Sequence, residues 1–355
     1  MTFYIASDIA KKRCVTCIRD EDGAIKEISS YPNTSQGASE FARRVIDTYG
    51  SDCKAVVEST ASMWVKTYEA FEAKGIGVRL SNPVKTRVIA ESKMKTDRVD
   101  AMVLSNLLRA DLIAECYVPS KEVRLSRALL GHKVNTTREQ TKLKNRVHSL
   151  LTKYDLECEY EDIFGAHGMD WLKRIRLDGH DQWILSSLIR QLEFLDEEGE
   201  KADKEISKDA IENEYVPIIM SMAGFDYYGA SFLAAYIVDI NRFPSPPHLV
   251  SWVGLCPSVH QTGETKYMGK MKGGSKKACW IMTQAANVAA RVDPRLRRYY
   301  EKKTRRHHHN VAITHVANKM LRILWHMLKE NRLYDQRNEK RYESKLKRLR
   351  STASR

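Results

Sequence analysis

Short apolar runs separated by polar turns open the chain and predict three strands: residues 2–7 running into Asp8, Arg13 to Arg19, and a third near Ala24 to Tyr31. Asp20-Glu-Asp-Gly23 joins the second to the third, because Gly23 supplies the positive φ that a tight hairpin needs. The period then lengthens. Phe41, Val45 and Ile46 share one face of Gln36 to Tyr49, with arginines and acids elsewhere, which predicts an amphipathic helix. Lys54 to Glu58 reads as a short buried strand, Ala61 to Ala73 as a helix, Gly77 to Ser81 as a strand, and about Asp97 to Arg109 as a further helix.

Further along, the pattern is helical. Leu143, Val147, Leu150 and Tyr154 step by four, three and four, and Leu185, Leu188, Leu192, Leu195, Ala202 and Ile206 keep the same seam, with Gly199 interrupting it. A 3.5-residue period is that of coiled-coil packing, within one chain as an antiparallel hairpin or between two chains. Near Tyr215 a third region begins. Met222-Ala-Gly224-Phe-Asp226 before the small-residue run Gly229 to Ala235 resembles the opening of a helix-hairpin-helix, with Asp226 where its second glycine belongs. Pro244-Ser-Pro-Pro247 marks a turn, and Leu249 to Gly254 begins a helix. Gln261 to Lys277 reads as a Gly- and Lys-rich loop entering the helix Ala278 to Ala290.

Three strands in a meander, then helix, strand, helix, strand, helix, is the order of a ribonuclease H-like α/β fold. The expected organisation is α/β plus α: a ribonuclease H-like domain over 1–115, a helical coiled-coil spacer over 116–214, a mostly helical C-terminal domain over 215–330 and a basic tail over 331–355. The tail, low in apolar content, is expected to fray or stay disordered. With 59 Lys plus Arg against 45 Asp plus Glu the chain carries a net charge of +14, which suits a protein that sits on a polyanion. No stretch of about 20 apolar residues and no signal-like N-terminus points to a membrane or to export, so a soluble, intracellular protein is expected.

The candidate chemistry lies in four carboxylates. Asp8 and Glu58 end two strands that are neighbours in such a sheet, and Asp97 and Asp100, three apart, share one helix face. Carboxylates gathered together repel and call for a counter-charge. A pair of Mg²⁺ or Mn²⁺ ions supplies it, since these ions prefer oxygen ligands and, about 4 Å apart, stabilise both attacking and leaving oxygens of a phosphodiester. Each acid alone reads as a solvated charge; the four together at these element ends read as a metal site. Lys93 and Lys95 fit a phosphate-binding rim or a solvated loop, and Arg138, Lys142, Lys144 and Arg146 fit a nucleic-acid contact or a solvated helix face. Lys270, Lys272, Lys276 and Lys277 extend the basic set. Cys14 and Cys17 lie in one predicted strand, where a spacing of three turns them to opposite faces, so the seven scattered cysteines read as structural thiols. His307, His308 and His309, beside Lys302 to Arg306, add to a basic surface rather than converge on one ion.

Ile5-Ala-Ser-Asp8-Ile-Ala-Lys11, Val57-Glu58-Ser-Thr60, Lys95-Thr-Asp97-Arg-Val-Asp100-Ala101 and Val250-Ser-Trp-Val-Gly254-Leu-Cys-Pro257-Ser resemble, in this order, the signatures of the DEDD transposases. These are insertion-sequence recombinases related to pilin-gene invertases, and the family includes bridge-RNA-guided enzymes. The resemblance runs over most of residues 1 to 330. It implies a RuvC-like N-terminal domain whose four metal-binding acids match Asp8, Glu58, Asp97 and Asp100. It also implies DNA as substrate, a structured guide RNA encoded beside the gene, and a homodimer or homotetramer, since strand exchange cuts and rejoins four strands.

The family's nucleophile is a serine, sometimes a threonine, in the loop that Gln261 to Lys277 matches. Here Met271 or a one-residue gap stands at that place. Ser275, about one helical turn later, is the replacement to consider, ahead of Thr262 and Thr265, although a serine there also reads as an N-cap. Two other functions use the same features. One is a hydrolytic two-metal nuclease or junction resolvase with water as nucleophile; the other is a catalytically disabled descendant that binds nucleic acid.

Overall fold

Strands β1 (Phe3–Ile9), β2 (Arg13–Arg19) and β3 (Ile25–Pro32) form an antiparallel meander. Its turn is closed by the Asp20 carboxylate, which accepts the Ala24 N–H at 2.8 Å, and by Gly23 at φ +87°. The computed structural model describes residues 1–89, 96–262, 265–271 and 273–354, without the side chains of 258–268 and 270. It falls into two compact units, Met1–Val118 and Pro119–Arg355.

In the first unit α1 (Ser35–Tyr49) leads to β4 (Cys53–Glu58), α2 (Val65–Glu72), β5 (Gly77–Ser81), α3 (Pro83–Ile89) and α4 (Asp97–Arg109). The strand order is β3-β2-β1-β4-β5, with β4 parallel to β1 and β5 parallel to β4. Helix α2 starts four residues later than the apolar pattern predicts, because Ala61 sits at φ +49°, outside the helical region. Side-chain alternation sorts the sheet into two faces. Ile5, Ile9, Ala55 and Val57 pack with Phe41, Val45 and Phe71 on one side; Ala6 and Val56 pack with Leu104 and Leu108 of α4 on the other.

The second unit contains α5 (Lys121–Lys153), α6 (Ala166–Arg174), α7 (Gly179–Glu212), α8 (Tyr215–Ser221), α9 (Tyr227–Ile237), α10 (Pro246–Val253), β6 (Pro257–Thr262), β7 (Thr265–Met271), α11 (Lys276–Val292), α12 (Pro294–Thr304), α13 (His309–Lys329) and α14 (Glu339–Ser354). Of the two seam arrangements, the chain forms the internal one. Ser126 meets Asp209, Lys133 meets Asp203, Gln140 meets Asp196 and Lys153 meets Asp181, so α5 and α7 run antiparallel. Gly199, which interrupts the seam, admits the Lys133 amine, which donates to its carbonyl at 2.8 Å.

Leu143, Val147 and Leu151 pack with Leu185, Leu188 and Leu192 in a core of their own, whereas Leu130, Val134, Ile206 and Ala210 belong to the same core as α8 to α14. Residues 214 and 215 therefore mark no boundary between compact units. Two expectations need correction. The Gly- and Lys-rich segment is an antiparallel hairpin, with Val259 opposite Met268 and Thr262 opposite Thr265. Residues 331–354 of the C-terminal tail are neither frayed nor disordered: Tyr342 and Leu349 of α14 are buried, and the Lys345 amine donates to the carbonyls of Met220 and Met222. Among the described residues no helix is long and apolar enough to cross a membrane.

Candidate active site

The register of the first unit determines where the four acids go. Ser7 pairs with Val57 on parallel strands, so Asp8 and Glu58 follow at one level, on the face that carries Ala6, Val56 and α4. Helix α4 is anchored on this face. The Arg19 guanidinium donates to Ser105 Oγ at 2.9 Å and to the Met102 carbonyl, and Arg19 pairs with Tyr4 of β1. From Ser105 back to Asp97 is eight residues, about 12 Å of helix. From Tyr4 forward to Asp8 is four residues, about 13 Å of strand. The two lengths agree, and α4 brings its first turn, with Asp97 and Asp100, to the end of the sheet where Asp8 stands.

Electrostatics register the same convergence. The Asp8 carboxyl is pushed up to about 6, first by burial, then by the charges of Asp97, Glu58 and Asp100, against a bond from the Ile9 N–H. Local features of α4 ease part of the repulsion. The Thr96 side chain caps the helix by accepting the Val99 N–H at 3.2 Å, and the positive end of the helix favours acids in its first turn. Among the described residues no three His, Cys, Asp or Glu side chains are drawn together closely enough to hold an ion. The acids thus share one field, and as an all-oxygen, strongly anionic donor set they match the preference of Mg²⁺ or Mn²⁺. Asp97 is exposed, and Asp8, Glu58 and Asp100 are half-buried, which leaves the group open to a substrate. Lys93 and Lys95 lie outside the described residues. Cys14 lies beside Thr67, its sulfur 4.0 Å from that hydroxyl, and all seven cysteines are free.

In the second unit Ser275 has a clear structural task. Its hydroxyl accepts the Ala278 N–H at 3.3 Å as the N-cap of α11, and its own N–H donates to the Trp252 carbonyl at 3.0 Å. The preceding turn depends on two glycines: a Cβ on Gly274 would stand 2.4 Å from the Gly254 Cα, so the Val250–Gly254 segment and the turn before α11 meet backbone to backbone. Met271 ends β7 and is exposed. The backbone of Thr262 is in register with that of Thr265 in the hairpin. Gly224, in the segment that resembles a helix-hairpin-helix opening, serves packing: at φ +93°, a Cβ there would fall 2.1 Å from the Ala285 carbonyl oxygen of α11.

The basic candidates divide by what they touch. Lys142 is paired with Glu139 at 2.7 Å, and the Lys144 amine lies 4.8 Å from the centre of the Phe164 ring. Arg146 is exposed on α5. Arg138 lines a cleft with Lys276 and Lys277, a grouping from two distant parts of the sequence that spacing alone does not reveal. The same cleft includes Trp280, which the reading of the sequence passed over. Its signal was present, since Trp280 is three and four residues after the two lysines and so shares their helix face. Lys272 lies outside the described residues, as does the side chain of Lys270.

A transposase family model, the DEDD type of IS110, matches residues 5–155, and a second, for the transposase family IS116/IS110/IS902, matches residues 216–301. An uncharacterized 42 kDa protein of insertion element IS900 from Mycobacterium paratuberculosis is 31% identical over 159 residues, 42% of this chain and 39% of that protein. The transposase of insertion sequence IS1328 from Yersinia enterocolitica is 23% identical over 299 residues, 80% of this chain and 87% of that protein. That of IS1111A from Coxiella burnetii is 24% identical over 286 residues, 75% of each chain. With one model covering the four acids and the other the α11 region, in the same order as the two compact units, the chain belongs to the DEDD transposase family of the IS110 type, a family of DNA transposases.

Proposed function

We propose that this transposase cleaves and rejoins DNA strands at a metal-dependent centre formed by Asp8, Glu58, Asp97 and Asp100. The carrying observation is the rise of the Asp8 carboxyl to about 6 under burial and the other three acids, which marks a cluster that favours a cation. The strand order β3-β2-β1-β4-β5, a meander followed by two parallel strands, supports the finer reading of the first unit as a ribonuclease H-like, RuvC-like domain. Two Mg²⁺ or Mn²⁺ ions bound there supply charge stabilisation to the attacking and leaving oxygens of a phosphodiester. The chain's own contribution is to carry Asp8 and Glu58 on paired strands and Asp97 and Asp100 on a capped helix at the same end of the sheet.

The family nucleophile is a hydroxyl, and of the candidates Ser275, Thr262 and Thr265 only Ser275 has its side chain among those described. Its engagement as an N-cap favours the second reading, a hydrolytic nuclease with water as nucleophile. A guide RNA and an assembly of two or four copies complete the proposal. The basic face of the second unit supports the nucleic-acid partner.

The test joins two measurements. Asp8→Asn and Asp97→Asn are expected to abolish cleavage of DNA carrying the element ends, with nucleic-acid binding nearly intact. They should also remove the rise in melting temperature that Mg²⁺ or Mn²⁺ gives the wild type. Wild-type cleavage in EDTA would sink the metal reading. A protein–DNA adduct that survives denaturant and maps to Ser275, Thr262 or Thr265 establishes the recombinase route; cleavage without any adduct establishes the hydrolytic one.

A further inference from the structure

The cleft beside the α11 N-terminus combines features that neither packing nor the metal centre uses. It measures about 100 Å³ and lies between α5 and α11, over the fully buried Phe232 of α9. At roughly 10 to 15 Å³ per enclosed water-sized group, that space is on the scale of one planar heterocycle. Three cations surround it: Arg138 from α5, and Lys276 and Lys277 from the first turn of α11. Among the described residues none of the three is paired with a carboxylate, whereas Lys133 and Lys142 on the same α5 are paired with Asp203 and Glu139. Trp280 forms a wall and is 45% exposed, although Ala278, Ile281 and Met282 around it are in the core.

Gly131 supplies the room. It lies within the 33-residue α5, where alanine is the better helix former, and a Cβ there would come 3.7 Å from the Lys277 amine. An exposed indole, three cations without acidic partners and a helix surface cut down to glycine together match a ligand with one aromatic face and a neighbouring anion.

We infer that this cleft binds one unpaired nucleotide of a single-stranded nucleic acid, its base stacked on Trp280 and its flanking phosphates held by Lys276, Lys277 and Arg138. Base–aromatic stacking is available to any base, so the site reads strandedness rather than sequence. Duplex DNA, with its bases stacked internally, offers Trp280 no free face. The inference rests on the reading that this chain handles nucleic acid, and deepens it by assigning where an unpaired strand is held.

The test is equilibrium binding of full-length protein to an oligonucleotide of about 12 residues as single-stranded DNA, as single-stranded RNA and as blunt duplex, with melting temperatures measured in parallel. Trp280→Ala is expected to weaken single-strand binding roughly ten-fold while duplex binding changes by less than about two-fold. Gly131→Leu, which fills the cleft and leaves Trp280 in the sequence, should do the same. The arm that loses more, DNA or RNA, identifies the source of the strand. Unchanged single-strand affinity in both variants, with melting temperatures at the wild-type value, overturns the site while leaving metal-dependent cleavage standing. Equal losses on single strand and duplex also overturn it, because they describe a general cationic face. A wild type that binds no oligonucleotide defeats both this inference and the functional reading beneath it.

Discussion

Single residues in this chain carry charge to places where its sign decides stability. Glu27 of β3 accepts both terminal nitrogens of Arg44, at 3.0 and 2.6 Å, and the Tyr49 hydroxyl at 2.9 Å. The Arg44 hydrogen bonds hold its carboxyl at about 2, and burial opposes them. Because the folded value lies below the ordinary 4.5, the bridge contributes stability that is fully present above pH about 4.5 and lost as the pH falls toward 2. Glu27→Gln is therefore expected to cost about 1 kcal/mol at neutral pH, discounted because Arg44 is partly exposed, and to flatten the acid limb of unfolding over that window. Urea titrations of both proteins at pH 7 and pH 3 check it. A variant that loses as much at pH 3 as at pH 7 would assign the effect to packing.

At the scale of elements, most of the α/β unit was legible because the signals were local. Short apolar runs between polar turns predict β1, β2, β4 and β5 to within a residue or two, and the expected helix over Asp97 to Arg109 is α4. The placement of Asp8 and Glu58 on α4's face also follows from parity once the strands pair. Less legible were features decided by what one segment touches. Glycine and lysine content drew Gln261 to Lys277 toward a loop reading, although in the sequence the dipeptide Gly263-Glu264 between threonines is a hairpin signal of its own. Gly224 shows the same limit, since its positive φ and the closeness of α11 become visible only in the fold. Gly224→Ala combines a strained φ of +93° with a contact of 2.1 Å to the Ala285 carbonyl, so it should destabilise by about 3 kcal/mol. A denaturant midpoint within experimental error of wild type would show that α8 and α9 reposition freely against α11.

Across the whole molecule, net charge proves a poor guide to which segments are structural. Most of the side chains of residues 331–355 are polar or charged, yet Tyr342, Leu346 and Leu349 recur at four and three residues, the stripe of an amphipathic helix. Tyr342 and Leu349 are buried in the large core of the second unit, Leu346 packs against it, and Tyr334 just before α14 is fully buried. Lys345 adds a bond that a solvated tail would not make: its amine serves the carbonyls at the end of α8, and burial lowers its tendency to hold the proton. Truncation after Glu330 therefore removes core rather than merely surface charge. Burying a tyrosine or leucine contributes about 1.5 to 3 kcal/mol each. The truncated chain is expected to lose several kcal/mol, to melt at a clearly lower temperature and to unfold with an altered denaturant dependence. Tyr342→Ser with Leu349→Ser, which leaves every basic residue in place, should reproduce most of that loss. If the double variant melts like wild type and truncation lowers only nucleic-acid affinity and its salt dependence, then the tail acts through its charge alone and its packing adds nothing to the fold.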